Sequence, residues 1–524
     1  MARIRCCTAS GCRAAGGPAL QQALQQARAD QGLSTAALTI KPVGCLRLCG
    51  RGPLVAVDGA DGGAPRLYGA VPPAGAPALV QLALAADATG AAAALAAQAI
   101  DGEHPFFALQ QPVVLEGLGL VDPESLDDAL AHGAYSQLQR CRAEGRPEQV
   151  RARIRRSGLR GRGGAGYPTG LKWDTVALQP PGPRVVVCNA DEGDPGAFMD
   201  RAVLEGDPHR VLEGLAIAAF AVGAELGYVY LRAEYPLAIA RLRRALQQLR
   251  QHGLLQHGLL QGLDLQLRVG AGAYVCGEET ALLASIAGGR GTPRQRPPYP
   301  AQQGLFGSPT LINNVETLAA VPAILRRGAD WYAALGMGRS RGTKVFSLSG
   351  ALPHTGLVEV PMGTSLRTVV ETMGGASGVK AVQTGGPAGG CIPAELLDVP
   401  IAYETLAELG SMLGSGGMVV LPEGLPMPQL ARYFMGFCAA ESCGKCLPCR
   451  AGTVQLAQVL DRFCDGRASQ ADLVQLEQLA AMVKATSLCG LGQGAPNPVL
   501  STLSFFRHEY EAACTSGASG EPAR

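Results

Sequence analysis

The sequence has almost no charge imbalance: 45 Lys and Arg against 43 Asp and Glu leave a net charge of +2 over 524 residues, and only 17% of residues are charged. That balance argues against a basic nucleic-acid-binding surface and against a disordered polyelectrolyte. Long apolar runs are missing as well. The richest stretches, residues 215–224 and 90–97, fall short of the roughly 18 residues a membrane span needs. The opening Met1-Ala2-Arg3-Ile4-Arg5-Cys6 has no apolar export region. A cytoplasmic chain is expected, with no direct membrane insertion and no nucleic-acid partner. There is no collagen-like period and no internal repeat, so the 70 Gly and 36 Pro imply turns and close backbone approaches. At about 150 residues per domain, the length corresponds to three or four domains.

Cysteine, by contrast, is plentiful. In a reducing compartment the 16 cysteines point to metal ligation where they cluster. Cys443-Gly444-Lys445-Cys446-Leu447-Pro448-Cys449 places three thiols in seven residues, and Cys489 follows after 39 intervening residues. A compact run with one remote ligand suits a cubane [4Fe-4S] cluster, with zinc as the rival reading. Lys445 and Arg450 would offset thiolate charge. A second set, Cys7-x4-Cys12, then 32 residues, then Cys45-x3-Cys49, fits a [2Fe-2S] cluster, with zinc again the alternative. Cys6 adjoins Cys7, but strand alternation sends neighbouring side chains to opposite faces, so Cys7 is favoured as ligand. The isolated Cys141, Cys188, Cys276, Cys391, Cys438, Cys464 and Cys514 read as buried small hydrophobes.

The first 86 residues have the pattern β-α-β-β-β with a helix near 78–86, which suits a thioredoxin-like layer. Residues 87–150 read as a connector with short helices. Residues 151–337 alternate short apolar strands, such as 184–188 and 227–231, with amphipathic helices such as 236–250, which favours an open α/β sheet. Residues 338–424 change to short strands and Gly turns, a small α+β insert. Residues 425–512 are helical, and 513–524 form a tail.

Gly161-Arg162-Gly163-Gly164-Ala165-Gly166 matches G-x-G-x-x-G, yet no apolar strand precedes it, so an ordinary Rossmann fingerprint is not met. Its glycines still allow backbone N–H groups to approach a phosphate or a flat ring, with Lys172 as a charge partner. Asn189-Ala190-Asp191-Glu192-Gly193-Asp194 follows a strand at its C-terminal end, where open α/β sheets bind ligands. Tyr274-Val275-Cys276-Gly277-Glu278-Glu279-Thr280 and Asn313-Asn314-Val315-Glu316-Thr317 open helices with small or amide residues. Each segment alone also reads as an ordinary loop.

Together, in this order, the motifs resemble the family of flavin-bearing, NADH-oxidising subunits shared by respiratory complex I and soluble NAD-linked hydrogenases and formate dehydrogenases. The resemblance runs from about Ser157 to Tyr510 and also takes in Pro297-Pro298-Tyr299-Pro300. The stretches 356–367 and 381–387 look closest to diaphorase subunits of bidirectional [NiFe]-hydrogenases. Residues 1–86 look like the thioredoxin-like [2Fe-2S] domain of a partner subunit, here joined in front.

The resemblance implies an α/β multidomain chain: a thioredoxin-like [2Fe-2S] domain, a Rossmann-like FMN domain, a ubiquitin-like β-grasp insert and a C-terminal four-helix bundle with the [4Fe-4S] cluster. It implies FMN on Gly161, Gly163, Gly164 and Lys172, surrounded by Asn189, Asp191, Glu192, Tyr274, Gly277, Glu278, Asn313, Asn314 and Thr317. NADH would stack above, with Tyr167 and Tyr299 around adenine and Asp194 on the adenosine ribose. Glu192 and Glu279 are the implied catalytic residues, Glu279 toward the nicotinamide. Complex I often carries Glu at the position of Asp194, and Phe at those of Tyr167 and Tyr299. The expected activity is that of a diaphorase subunit: hydride exchange between NAD(H) and FMN, then single electrons to iron–sulfur clusters. The expected partners are the other subunits of a soluble hydrogenase or a formate dehydrogenase, iron–sulfur relay subunits among them. A subunit of an electron-bifurcating hydrogenase or of complex I is the further alternative, and a non-catalytic electron carrier is the contrasting class.

Overall fold

The computed structural model describes residues 2–60, 62–84, 89–255 and 258–514. Its strands form three main sheets.

The first sheet has the order β2-β1-β3-β4-β5, from β1 (Ala2–Cys7), β2 (Leu38–Val43), β3 (Val55–Asp58), β4 (Arg66–Tyr68) and β5 (Ala99–Ile100). Strands β1 and β2 are parallel, and the remaining pairs are antiparallel. The helices Gly17–Asp30 and Ala76–Leu84 bury Leu20, Leu24, Leu79 and Val80 against Ile4 and Val57. The expected pattern is present, but the sheet runs past residue 86: β5 closes its edge on β4. Ala99–Ile100 is too short to stand out within an alanine-rich tract. Residues 85 and 86 of the expected helix lie outside the described residues, as do 515–524 of the expected tail.

The second sheet is parallel throughout, with the order β8-β7-β6-β9 from β6 (Val185–Ala190), β7 (Leu226–Arg232), β8 (Asp264–Gly270) and β9 (Thr310–Asn314). The Val-rich β6 is central and buried, as a parallel strand covered on both faces must be. Its topological partners put the ends of β6 and β9 side by side, with Cys188 opposite Asn313 and Asn189 opposite Asn314. The helices Pro208–Val222 and Val315–Arg327 pack on the sheet and are buried along almost their whole length.

After a small hairpin of β10 (Gly336–Met337) and β11 (Ser340–Arg341) comes a mixed sheet, order β13-β12-β16-β14-β15. It is built from β12 (Thr343–Gly350), β13 (Gly356–Pro361), β14 (Val379–Thr384), β15 (Gly390–Pro393) and β16 (Gly417–Pro422). The central pair β12 and β16 is parallel. The C-terminal helices Met427–Glu441, Leu447–Cys464, Gln470–Thr486 and Asn497–Ala512 share a core of Met435, Leu456, Leu460, Leu476, Val483 and Leu503.

The connector is not a loose linker. Buried Glu359 of β13 accepts hydrogen bonds from the backbone N–H groups of Val113 (2.9 Å), Val114 (3.0 Å) and Leu115 (2.9 Å), and from Thr343 Oγ1 (2.5 Å). One carboxylate thereby satisfies a buried turn of backbone that has no secondary structure to do so. A single apolar core runs from Cys7 through this connector and the parallel sheet to Val420 of the insert.

Candidate active site and thiol clusters

The helix Pro147–Arg156 leads into the glycine-rich loop, and the helix Thr169–Ala177 leaves it. A loop between two helices differs from the strand–turn–helix of a Rossmann fingerprint, as the absence of a preceding apolar strand implied. Its glycines are required by close approaches. A Cβ on Gly163 would lie 2.9 Å from Asn314 Cβ, and Gly164 has φ +132°, a conformation that side chains disfavour. Arg162 is fully buried; its backbone N–H donates to Thr317 Oγ1 (2.8 Å), and its guanidinium donates to Thr343 O (3.0 Å) and to Tyr332 Oη (3.0 Å). Loop and β9–helix junction are therefore one unit, with Asn314 as N-cap accepting from Thr317 N (3.2 Å).

The acidic segment after β6 sits beside this cradle. Asn189 donates to Gly277 O (3.0 Å) and accepts from Asp191 N (3.1 Å). Asn313 accepts from Trp173 Nε1 (2.8 Å), and Asn314 Nδ2 donates to Asp200 (2.5 Å). Asp191 faces Arg232 at 3.5 Å, but Asp191 Oδ2 and Arg232 Nη1 are buried without a hydrogen-bond partner. Burial pushes the Asp191 carboxyl up to about 7, against the pull of the Arg232 guanidinium. Thr169 Oγ1, just after the loop, is likewise buried and unpartnered. Orphaned polar atoms beside a glycine-lined space fit a polar, phosphate-bearing ligand.

Several expected ligand contacts are occupied by the protein itself. The Glu192 carboxylate accepts from Asp200 N (2.9 Å) and Arg201 N (3.0 Å), anchoring the start of the helix Met199–Gly206, a role that position alone did not suggest. Glu278 is an N-cap, accepting from Thr280 N and Ala281 N at 2.9 Å. Glu279 is ion-paired with Lys172 (3.5 Å) and Arg296 (3.0 Å). Asp194 accepts from Tyr274 Oη (2.7 Å) and Ser415 Oγ (2.5 Å), and burial raises its pKa. Each of its oxygens thus already accepts one hydrogen bond within the protein. Tyr167 and Tyr299 are exposed aromatics, at 51% and 50%.

Sequence reading missed Asp200 and Lys344 beneath the cradle. Glu192, Asp200 and Glu316 form a buried acidic cluster, and burial pushes Asp200 well up, as do Glu192 and Glu316 beside it. Lys344, itself buried, answers them by pairing with Glu316 and donating to Ser415 O (2.6 Å). The Asn313-Asn314-Val315-Glu316-Thr317 motif contained Glu316, but its partner lies in the insert and carried no local signal.

Cys443, Cys446, Cys449 and Cys489 line one small pocket with Val275, Pro293, Ser442, Leu488 and Leu491. Cys446 is the N-cap of the helix Leu447–Cys464, a position that favours a thiolate. Lys445 donates to Pro293 O (2.5 Å) and Arg290 to Cys443 O (3.0 Å), so residues 290–293 cover the pocket. Arg450 donates to Gly444 O (3.3 Å). Among the described residues no three or more His, Cys, Asp or Glu side chains close on a point as a single-ion site does; these four thiols surround a space. Soft donors around a space fit a polynuclear cluster. Val275 lines the thiol pocket and Tyr274 packs in the same apolar cluster, so the segment flanking the cradle also borders the thiols.

Cys7, Cys12 and Cys45 are buried together with Cys49 packed on them, and Cys45 Sγ lies 3.6 Å from Cys49 Sγ. Hydrogen bonds from the Cys12 and Cys45 thiols hold Cys7 well below the usual thiol range. Cys6 faces the other core, where burial pushes it up to about 12. Of the isolated cysteines, Cys141, Cys188, Cys276, Cys391 and Cys438 are buried, whereas Cys464 and Cys514 at the helical end are only half-buried.

Residues 154–323 match the family model described as the Nuo51 FMN-binding domain, and residues 429–513 match the NADH-ubiquinone oxidoreductase-F iron-sulfur binding region. The chain is 50% identical over 410 residues to the NADP-reducing hydrogenase subunit HndC of Solidesulfovibrio fructosivorans, covering 77% of this chain and 83% of that protein. The chain belongs to the family of FMN-binding, NADH-oxidising subunits. Another relative, the F 2 subunit of NADH-quinone oxidoreductase from Rhizobium meliloti (strain 1021), is 44% identical over 409 residues, 77% of this chain and 97% of that protein. A chain of the crystal structure of NAD+-reducing [NiFe]-hydrogenase in the H2-reduced state matches with a TM-score of 0.70 and 33% identity, over 99% of this chain and 85% of that one. With that coverage the likeness includes the N-terminal unit. The two matched family regions hold the glycine cradle and the Cys443–Cys489 pocket respectively. Among the described residues no helix is long and apolar enough to cross a membrane.

Proposed function

We propose that this chain is the NAD(H) diaphorase subunit of a soluble, cytoplasmic NAD-linked hydrogenase. The observation that carries the reading is the adjacency of the two sites: Val275 lines the Cys443–Cys489 thiol pocket, while neighbouring Tyr274 donates to Asp194 and Gly277 O accepts from Asn189 at the end of β6 that borders the cradle. A flavin site and an iron–sulfur site in contact are what a hydride-to-electron converter requires. The near full-length likeness to a chain of an NAD+-reducing hydrogenase, and 50% identity to a hydrogenase subunit, favour hydrogenase partners over formate dehydrogenase.

FMN, when bound, supplies the group that accepts hydride as a pair and releases electrons singly. Gly161, Gly163 and Gly164 let the loop backbone approach it closely, Lys172 offers a cation, and the unpartnered Asp191 and Arg232 atoms offer polar contacts. Glu192 and Glu278 serve it indirectly, by fixing the helix starts that frame the cradle. Tyr167 and Tyr299 present exposed rings on which an adenine can stack, and Glu279 is held by Lys172 and Arg296 at the same mouth. The [4Fe-4S] ligands are Cys443, Cys446, Cys449 and Cys489; the [2Fe-2S] ligands are Cys7, Cys12, Cys45 and Cys49. The mixed first sheet with its helices supports a thioredoxin-like unit over about 1–86 plus β5, and 87–150 is a packed connector. The parallel sheet supports a Rossmann-like unit over 151–337. The parallel central strands of the third sheet support a β-grasp insert over 338–424, and the four long helices support a bundle over 425–512.

Purified alone, the chain is expected to reduce ferricyanide or viologen dyes with NADH, at a rate that vanishes when FMN is stripped and returns when it is restored. Hydrogen-dependent NAD reduction is expected only with the partner subunits. Hydrogen oxidation by the lone chain would overturn the subunit reading, and formate-dependent reduction in the native complex would move the assignment to formate dehydrogenase.

A further inference from the structure

The glycine-rich loop has few bonds of its own. Arg160 bridges Pro168 and Gly161 N donates to Tyr167 O (2.9 Å), while Gly164 bridges Gly414 of the insert. A loop so rich in glycine loses much conformational entropy on ordering and needs external restraint.

The insert supplies much of that restraint, and one dipeptide gathers several of its contacts. Tyr403, at the start of the helix Tyr403–Glu408, donates its hydroxyl to Gly161 O (2.8 Å) and accepts from Arg162 Nη1 (3.3 Å). Its ring lies under the Arg160 guanidinium, 4.0 Å from centroid to Cζ. The same ring occupies the space beside Gly166, where a Cβ would meet Tyr403 Cε1 at 2.5 Å. Next in sequence, Glu404 pairs with Arg160 Nη1 (2.6 Å) and accepts from Ser340 Oγ (2.9 Å), while Arg160 Nε donates to Gly166 O (2.5 Å). Both ends of the loop, Gly161 and Gly166, are thus tied to one dipeptide about 240 residues away in sequence, as the separations of 242 and 244 show.

We propose that Tyr403 and Glu404 of the insert are positioning residues that hold the glycine-rich loop open as a flavin cradle. The proposal rests on the reading of that loop as the FMN site. It gives the insert a use in setting flavin affinity. Neither residue touches the ligand space through a charge of its own, so their effect is on the geometry of the loop's backbone donors.

The test is FMN affinity of the full chain, stripped of flavin, measured by quenching of FMN fluorescence. Y403L is expected to raise the dissociation constant at least tenfold, while Y403F, which keeps the ring under Arg160 and beside Gly166, is expected to restore most of it. E404Q is expected to weaken binding threefold or more. The paramagnetic signals of the reduced clusters are expected to stay at wild-type intensity, because the cysteine sites are held by other elements; a general loss of fold would lower them too. Wild-type FMN affinity in Y403L would overturn the proposal. Should Y403L fail to fold, Y403F and E404Q decide the matter: each loses one polar hold, and both at wild-type affinity would overturn it. A wild-type chain that binds no FMN would instead overturn the underlying site reading, a distinct result.

Discussion

Cys6 and Cys7 are adjacent, both are buried, and only geometry separates them. Cys7 points into the core shared with Cys12 and Cys45, and Cys6 into the core of Ile4, Leu24 and Val57. A thiol that faces a different core from Cys12 and Cys45 cannot close a cluster with them. C6S is therefore expected to retain the reduced [2Fe-2S] paramagnetic signal, and C7S to lose it; a signal that survives C7S and dies in C6S would reverse the ligand choice. The same scale governs Lys344. Its pair with Glu316 is buried on both sides, at 0% and 2% exposure, so removing the cation strands a carboxylate among Asp200 and Glu192. K344M is expected to destabilise by about 3–5 kcal/mol, and K344M/E316L to recover much of that loss, since the stranded charge goes too. Denaturant unfolding of the three chains checks the order.

Elements explain what the sequence could and could not reveal. The grouping of the cysteines was legible because each set comes from short, close-spaced runs, and the structure brings each set together. The parallel sheet was legible in β6 and β7, whose apolar runs are buried, but not in β8, an edge strand whose Arg268 and Asp264 face solvent. Glu192 stood out in the sequence, but its bonds to the backbone N–H groups of a helix start eight residues on did not. Arg162, Asp200 and Tyr403 were illegible: each acts across more than 100 residues, where no period or motif reaches. The helix Pro208–Val222 carries a titration with a definite sign. His209 is buried against Tyr135 Oη (3.0 Å), and burial lowers its pKa to about 4 from 6.5. The unfolded chain then binds the proton first as pH falls, so stability is full above about 6.5 and is lost progressively toward 4. A depression of that size corresponds to about 3 kcal/mol at full effect. The melting temperature of wild type is expected to fall more steeply than that of H209F between pH 6.5 and 4.5; parallel curves would remove His209 from the account.

At the scale of the whole molecule, the N-terminal unit is bolted on at several places, two of them close to its thiols. Arg47 O accepts from Leu357 N (2.8 Å), and Gly50 N donates to Thr355 O (2.9 Å), which fixes the Cys45–Cys49 turn to the insert. On the other side, Ser10 donates through N (2.8 Å) and Oγ (2.5 Å) to Glu205, while Arg241 donates to Glu205 O (2.5 Å) and to Thr8 Oγ1 (2.6 Å). Between these polar contacts Gly44 meets Gly206 so closely that a Cβ on Gly44 would fall 2.5 Å from Gly206 Cα. Gly206 ends the helix whose start is held by Glu192, so one short helix joins the cradle's floor to the residue preceding Cys45. Electron exchange between centres depends steeply on their separation, and a methyl group at this contact must push the unit outward or tilt it. G44A is therefore expected to slow reduction of the proposed [2Fe-2S] cluster by NADH while leaving the rate of flavin bleaching at its wild-type value. Stopped-flow absorbance follows the flavin, and freeze-quenched paramagnetic resonance follows the cluster. A G44A chain in which both proceed as in wild type would show that this contact does not set the spacing, and one in which the flavin also slows would place the defect in the cradle rather than at the junction.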